Sequence, residues 1–84
     1  MSKKDALTII RETEVDFKQK QRILRGFEIL AKYDDDITCS FEHDILYIDS
    51  DFEESVAKMT REDVIEMAIL GWFMDNECET WAHF

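Results

Sequence analysis

The spacing of the apolar residues changes at three consecutive aspartates, residues 34–36, and this change constrains the fold more than any other feature. Before the aspartates, apolar residues between positions 16 and 32 recur at helical intervals, which predicts a half-buried helix. The expected buried stripe comprises Phe17, Leu24, Phe27 and Ala31 and is widened by Ile23 and Leu30. After the aspartates, residues 37–41 alternate strictly, which predicts a strand. A chain with both periods is expected to fold as α+β.

The other segments extend this prediction to the order α-α-β-β-α-β-β, an antiparallel sheet covered on one face by helices. Thr60 is a predicted helix cap, and Gly71 is the predicted end of the same helix. The acidic connection over 50–59 has room for one helical turn at 52–56. An alternative continues the late helix through Trp72 and Phe73 and leaves a single terminal strand. The elements are expected at residues 3–12, 16–32, 37–41, 45–48, 60–70, 72–74 and 80–84, and a tight turn at 42–44 is expected to join the first two strands as a hairpin.

The length of 84 residues predicts one domain, 1–84, with a helical pair over 1–33 and an acidic ββαββ part over 34–84. No apolar run approaches the ~18 residues that a membrane helix requires, so we expect a cytoplasmic protein. Cys39 and Cys78 are too few for a disulfide framework, and both are expected to be free thiols. Cys39 lies on the alternating apolar face, which predicts a small core residue. Gly26, inside a predicted helix, is expected to mark a close approach of the backbone to another element.

The charge of the chain is divided unevenly along its length. The formal net charge is −10, and it separates into +3 on residues 1–32 and −13 on residues 33–84. A surface this acidic repels phosphate backbones, so we expect no direct binding to nucleic acid or to an anionic membrane. A partner with a basic surface is the natural complement.

The residues expected to meet that partner lie in the acidic runs of the C-terminal part and in the last strand. They are Asp34, Asp35, Asp36, Asp49, Asp51, Glu53, Glu54, Glu77, Glu79 and Trp81. Alternation places Trp81 on the opposite face of its strand from Ala82 and Phe84. Two interpretations follow: an aromatic of this strand stabilises a solvent-facing cross-strand pair, or an exposed tryptophan anchors a partner.

Residue types that bind metals occur without the spacing that metal sites need. Cys39, His43, Cys78 and His83 do not form the paired knuckles of zinc modules, so we expect no metal. A calcium loop beginning at Asp49 is excluded, because its sixth position is Glu54 instead of glycine and its twelfth is Thr60 instead of glutamate.

Sequence motifs of catalysis are also missing. There is no glycine-flanked serine and no phosphate-binding glycine loop, because Gly26 and Gly71 are the only glycines. Nothing in the sequence places a nucleophile or an orienting carboxylate beside His43 or His83. We therefore expect a protein that is not an enzyme and has no cofactor.

Four short segments resemble a pattern found in small, largely uncharacterised proteins of phages and other bacterial mobile elements. They are HDILY at 43–47, MTRED at 59–63, LGWFMD at 70–75 and WAHF at 81–84. The resemblance covers residues 37–84 and consists of fold-forming residues. It implies a phage or mobile-element origin and an accessory protein that acts on a host system in the bacterial cytoplasm, as anti-CRISPR and anti-restriction proteins do.

These observations lead to two functional hypotheses. In the first, an acidic binding protein blocks a basic, nucleic-acid-binding surface of a host defence protein by imitating the charge of DNA. In the second, the acidic surface only keeps the protein soluble, and the chain is an assembly module that forms a homodimer through the helix at 16–32 and its aromatic strand.

Overall fold

The computed structural model describes all 84 residues and contains four helices and four strands. The elements are α1 (Lys3–Glu12), α2 (Arg22–Ala31), β1 (Cys39–Glu42), β2 (Ile45–Ile48), α3 (Phe52–Lys58), α4 (Arg61–Ile69), β3 (Phe73–Met74) and β4 (Trp81–His83). The α+β class and the antiparallel sheet are confirmed. The order is α-α-β-β-α-α-β-β, one helix more than the sequence predicts.

The sheet has the strand order β1-β2-β4-β3, and every neighbouring pair is antiparallel. β1 and β2 form the predicted hairpin through His43 and Asp44, whose φ angles are 53° and 66°. Positive φ at both central residues is the type I′ turn, whose twist matches that of the flanking strands. This turn determines the register, in which Glu42 pairs with Ile45 and Cys39 with Ile48.

Only one face of the sheet carries helices. Leu46, Ile48 and Trp81 point to the helical side and are buried with side chains from all four helices. The other side, which we call the open face, carries the row formed by Tyr47, Ala82 and Phe73. Ala82 is fully buried there because it lies between the two larger side chains.

The additional helix, α3, lies in the acidic connection where the sequence predicts at most one turn. Asp51 caps it, because its carboxylate accepts a hydrogen bond from the Glu54 N–H at 3.1 Å. Phe52 and Val56, four residues apart, are both buried on its inner side. The cap and this buried pair explain why the segment extends to two turns. The predicted Thr60 cap of α4 is confirmed by a bond from the Asp63 N–H.

α2 begins at Arg22 instead of residue 16, so the predicted start of this helix was wrong. Asp16 forms a turn, in which its side chain accepts the Lys18 N–H while its own N–H donates to Ile69. Gln21 then has a φ of 54°, outside the helical region. Phe17 therefore precedes the helix and is 77% exposed. Leu24 and Ala31 are exposed as well, because α2 buries the side formed by Gly26, Ile29 and Leu30.

Gly26 marks the predicted close approach, and its neighbour is Trp72. A Cβ atom at position 26 would lie 2.1 Å from the indole Nε1 of Trp72. The same indole N–H donates to the carbonyl oxygen of Arg22 at 3.2 Å. Gly71, with a φ of +93°, ends α4 as predicted and turns the chain so that β3 follows. The alternative in which the helix continues through Trp72 and Phe73 is therefore wrong.

A buried carboxylate joins α2 to α4. Asp63 accepts hydrogen bonds from the Tyr33 hydroxyl and from Lys32 Nζ, the latter at 2.7 Å. Burial by itself raises the pKa of the Asp63 carboxyl, but the bonds from Lys32 and Tyr33 outweigh it and hold the pKa below its ordinary value. The bond to Asp63 in turn raises the pKa of Lys32.

We expect Asp63→Asn to lower the free energy of unfolding at pH 7 by about 1–3 kcal/mol, because Lys32 and Tyr33 lose a charged acceptor. A carboxyl whose pKa is lower in the folded state stabilises the protein above its unfolded pKa, near 3.8, and loses this effect as acid protonates it. Urea denaturation at pH 7 and at pH 3 should show the difference shrinking in acid. Asp35→Asn, at an exposed position without an internal partner, is the control. Equal losses at both pH values would contradict the prediction.

We expect Gly26→Ala to lower the free energy of unfolding by about 1–3 kcal/mol, because the indole has no room to move away. Helix propensity alone predicts the opposite sign, a gain of about 1 kcal/mol. Thermal and urea denaturation measure the outcome. In a Trp72→Phe background, which removes the indole nitrogen, the cost of Gly26→Ala should be smaller. An unchanged cost in that background would show that Trp72 is not its source.

Candidate protein-binding surface

The predicted partner-binding carboxylates all reach the surface. Asp34 is half-buried, and the other eight are exposed. Asp34–Asp36 follow α2, Asp49 and Asp51 follow β2, and Glu53 and Glu54 lie in the first turn of α3. Glu77 and Glu79 lie in the turn between β3 and β4. The acids therefore come from three separate segments: between α2 and β1, from the end of β2 into the first turn of α3, and between β3 and β4. They can form one binding site only where these connections lie side by side.

Two of the three connections meet in one depression. Asp34 lines it from one side and Asp51 and Glu54 from the other, around a cavity of about 80 Å³ floored by apolar residues such as Leu30 and Ile48. The connections are held together because the Asp49 N–H donates to the Thr38 carbonyl at 2.9 Å. We call the carboxylates of these two connections the acidic loop cluster. It comprises Asp34, Asp35, Asp36, Asp49, Asp51, Glu53 and Glu54.

Ion pairs neutralise acids elsewhere in the chain and leave this cluster unpaired. Lys3 bonds Glu79 at 2.6 Å and Arg25 bonds Glu66 at 2.6 Å, while Lys32 bonds the buried Asp63. Each of these cations comes from the basic first 32 residues, and each acid from residues 61–84. No lysine or arginine nitrogen lies within 4.0 Å of a carboxylate of the acidic loop cluster.

Some carboxylates of the cluster also have structural roles. Asp34 accepts the Asp36 N–H at 3.0 Å, and Asp51 caps α3. The carboxylates of Asp35 and Glu54 accept no hydrogen bond from the protein. Asp35 and Glu54 are therefore free to bind a partner, and replacing them leaves the turns and helix caps intact.

The turn between β3 and β4 places its two glutamates differently. The Glu79 main chain accepts the Phe52 N–H, so the residue lies beside the start of α3, but its side chain is already paired with Lys3. This hydrogen bond raises the pKa of Lys3. Glu77 lies on the side of Tyr47, whose pKa is raised by desolvation and by nearby acids that include Glu77. Neither glutamate adds an unpaired charge to the acidic loop cluster.

Trp81 is fully buried, so it is not the exposed anchor that one interpretation of the sequence requires. Its indole packs on Phe52 with the ring centroids 4.8 Å apart, and its Nε1 donates to the Ser55 hydroxyl at 3.2 Å. Both partners belong to α3, the helix that the sequence prediction lacked. The other interpretation, a solvent-facing cross-strand pair of aromatic residues, describes Phe73 and Phe84 instead. Their ring centroids are 4.9 Å apart.

Exposed apolar side chains form a second feature, which sequence reasoning missed. Phe17, Leu24 and Phe84 are 77%, 52% and 78% exposed. They line two adjoining grooves of about 300 and 680 Å³ that share Arg22, whose guanidinium lies 5.2 Å from the centre of the Phe17 ring. The unbroken polar run at 18–22 interrupts the helical period and is the signal that could have placed Phe17 outside the helix.

The histidines and cysteines do not converge. His83 is buried between the main-chain oxygens of Leu70 and Phe84, at 2.9 and 2.7 Å, whereas His43 lies in the exposed hairpin turn. Cys78 is exposed in its turn, where desolvation and then Asp75 raise its pKa. The core position predicted for Cys39 is wrong, because β1 is an edge strand beyond the helical layer. The structure groups no three His, Cys, Asp or Glu side chains in a way that could hold a metal ion.

Comparisons with known proteins give no relative: no family model, no curated protein and no solved structure matches the chain. None of the helices has both the length and the apolar character needed to cross a membrane.

Proposed function

We propose that this protein is a non-enzymatic binding protein that covers a basic, nucleic-acid-binding surface of a partner protein. The observation that carries this proposal is the acidic loop cluster, in which carboxylates from two connections line one depression. Lys58 lines the same depression, but no lysine or arginine nitrogen lies within 4.0 Å of these carboxylates. The resemblance of residues 37–84 to phage and mobile-element proteins supports a host defence protein as the partner. The proposed class is therefore an inhibitor of the anti-CRISPR or anti-restriction type.

The physical basis is competition for the same cations. A nucleic-acid-binding surface presents lysine and arginine side chains to closely spaced phosphates. Unpaired carboxylates on a small surface can meet those side chains in place of phosphates, and the −13 on residues 33–84 attracts them from a distance. Such attraction is screened beyond about 10 Å at 0.1 M salt, so binding is expected to weaken steeply as salt is added.

We expect the double variant Asp35→Lys and Glu54→Lys to lose affinity for the partner by about tenfold or more at low salt, because like charges then face each other. The matched control is Glu12→Lys with Glu14→Lys, at exposed positions outside the cluster. Each double variant changes the formal net charge from −10 to −6, since every reversal adds two units. The partner is recovered from bacterial lysate at low salt, and its affinity and its binding to duplex DNA are then measured with each variant.

The proposal requires that the parent protein and the control displace DNA from the partner while the cluster variant fails to do so. Equal losses in both double variants would reduce the effect to net charge and contradict a specific surface. A partner that binds DNA and this protein simultaneously would also contradict the proposal.

Self-association is a second candidate function, favoured by the exposed Phe17, Leu24 and Phe84 along the two grooves. Apolar side chains grouped in this way mark interaction surfaces. Arg22 lines both grooves, and Lys18 and Lys20 lie in the exposed segment before it. None of the three has a carboxylate within 4.0 Å, so they are available for acids of a neighbouring copy. Arg25 is not available in the same way, because its guanidinium is already paired with Glu66.

If the grooves join two copies, we expect a dimer that Phe17→Ser with Leu24→Ser converts to a monomer while the thermal midpoint of the monomer is retained. Sedimentation at two salt concentrations measures this. A protein that remains monomeric at every concentration would exclude the assembly module.

A further inference from the structure

The outer edge of β1 is the largest unpaired main-chain surface of the sheet. β1 is an edge strand, and all four of its residues are exposed. The opposite edge, β3, has only two residues. Edge strands present unpaired N–H and C=O groups to which another chain can add.

The hairpin geometry shows which groups of β1 are free. In a two-residue hairpin the residues that flank the turn, Glu42 and Ile45, form a hydrogen-bonded pair, and bonded pairs recur at every second residue. Ser40 is therefore bonded to Tyr47, and the observed bond from the Asp49 N–H to the Thr38 carbonyl continues the series. The N–H and C=O groups of Cys39 and Phe41 consequently point away from β2, toward solvent.

The side chains along this edge restrict what can pair there. Phe41 is 73% exposed on the helical side. Glu42 projects to the open face at one end of β1, and Asp49 accepts the Ser40 hydroxyl at 3.4 Å toward the other end. Ile37, two residues before β1, lines the depression of the acidic loop cluster, so one end of a strand added outside β1 lies near that cluster. The edge thus combines free main-chain groups, one apolar side chain and flanking negative charge.

We propose that the outer edge of β1 pairs with an extended segment of the partner that is rich in lysine or arginine and adds to the sheet as a fifth strand. The inference rests on the proposed function and specifies how the basic partner binds. Main-chain hydrogen bonds to Cys39 and Phe41 supply affinity, and cations opposite Glu42 and beside the acidic loop cluster supply selectivity. A second copy of this chain is disfavoured, because its own acidic edge would face the same carboxylates.

The probe is a capped octapeptide of alternating lysine and valine, titrated into the full chain at low salt. Amide hydrogen exchange of the protein is followed by NMR with and without the peptide. We expect the Cys39 and Phe41 amides to exchange freely in the protein alone and to slow by about tenfold or more in the complex. Ser40 and Glu42 serve as internal controls, because their amides are bonded to β2 in both states.

A matched pair of variants tests the same contact by affinity. Phe41→Pro removes the outward N–H, and proline is tolerated on an edge strand where that group faces solvent. Phe41→Val removes the same aromatic ring but keeps the N–H. We expect Phe41→Pro to bind the octapeptide about three- to tenfold more weakly than Phe41→Val. If Phe41→Pro does not fold, the exchange measurement and an octapeptide N-methylated at every amide, which should not bind, decide the question.

The outcomes separate this inference from the proposed function. An octapeptide that binds in a salt-dependent manner without slowing the Cys39 and Phe41 amides overturns the edge inference and leaves the proposed function standing. An octapeptide that does not bind at low salt also overturns the edge inference, whereas displacement of DNA from the recovered partner decides the proposed function separately. Slow exchange of these amides in the protein alone, together with a dimer in sedimentation, would assign the edge to a second copy and overturn the inference as well.

Discussion

The contact between the Trp72 indole and the backbone of α2 at Gly26 connects the helical layer to the end of the sheet. Trp72 lies directly before β3 and is 1% exposed, with Phe27 of α2 at 5.9 Å and His83 of β4 at 5.2 Å between ring centroids. A single side chain therefore joins α2, the end of α4 and the last strand. This contact is available only because position 26 has no Cβ.

This arrangement determines which surfaces the small core leaves uncovered. An 84-residue chain can bury one face of a four-stranded sheet, and here the helices occupy that face. The open face and the outer edge of β1 are the parts that the helices do not reach. The grooves beside Phe17 and Phe84 lie along α2, where Leu24 stays exposed. The surfaces available for a partner thus follow from the limited amount of apolar material in the chain.

The ion pairs join the basic N-terminal part of the sequence to the acidic C-terminal part. Lys3, Arg25 and Lys32 reach across the fold to acids of residues 61–84. Those contacts pair the cations of the N-terminal helices with residues 61–84 and not with residues 34–54. The charges of the acidic loop cluster are therefore left without an ion pair within 4.0 Å.

Prediction from the sequence succeeded where a local pattern determines the structure. The change of period at residues 34–36, the hairpin at 43–44, the Thr60 cap and the stop at Gly71 each depend on neighbouring residues. It failed where a distant contact competes with a local one. Asp16 turns the chain because its N–H donates to the carbonyl oxygen of Ile69, more than fifty residues away. The spacing of residues 16–32 gives no indication of that hydrogen bond.

The sequence by itself determined the α+β class, the approximate order of the elements and the concentration of acid after residue 32, because periodicity, capping residues and charge are local properties. The tertiary structure alone decided that Trp81 is buried beneath α3, that Cys39 is exposed at an edge, and that Asp34 meets Asp51 and Glu54 in one depression. The physical reason is that exposure and charge pairing depend on which elements cover one another. In a chain this short, one additional helix was enough to change the environment of the last strand.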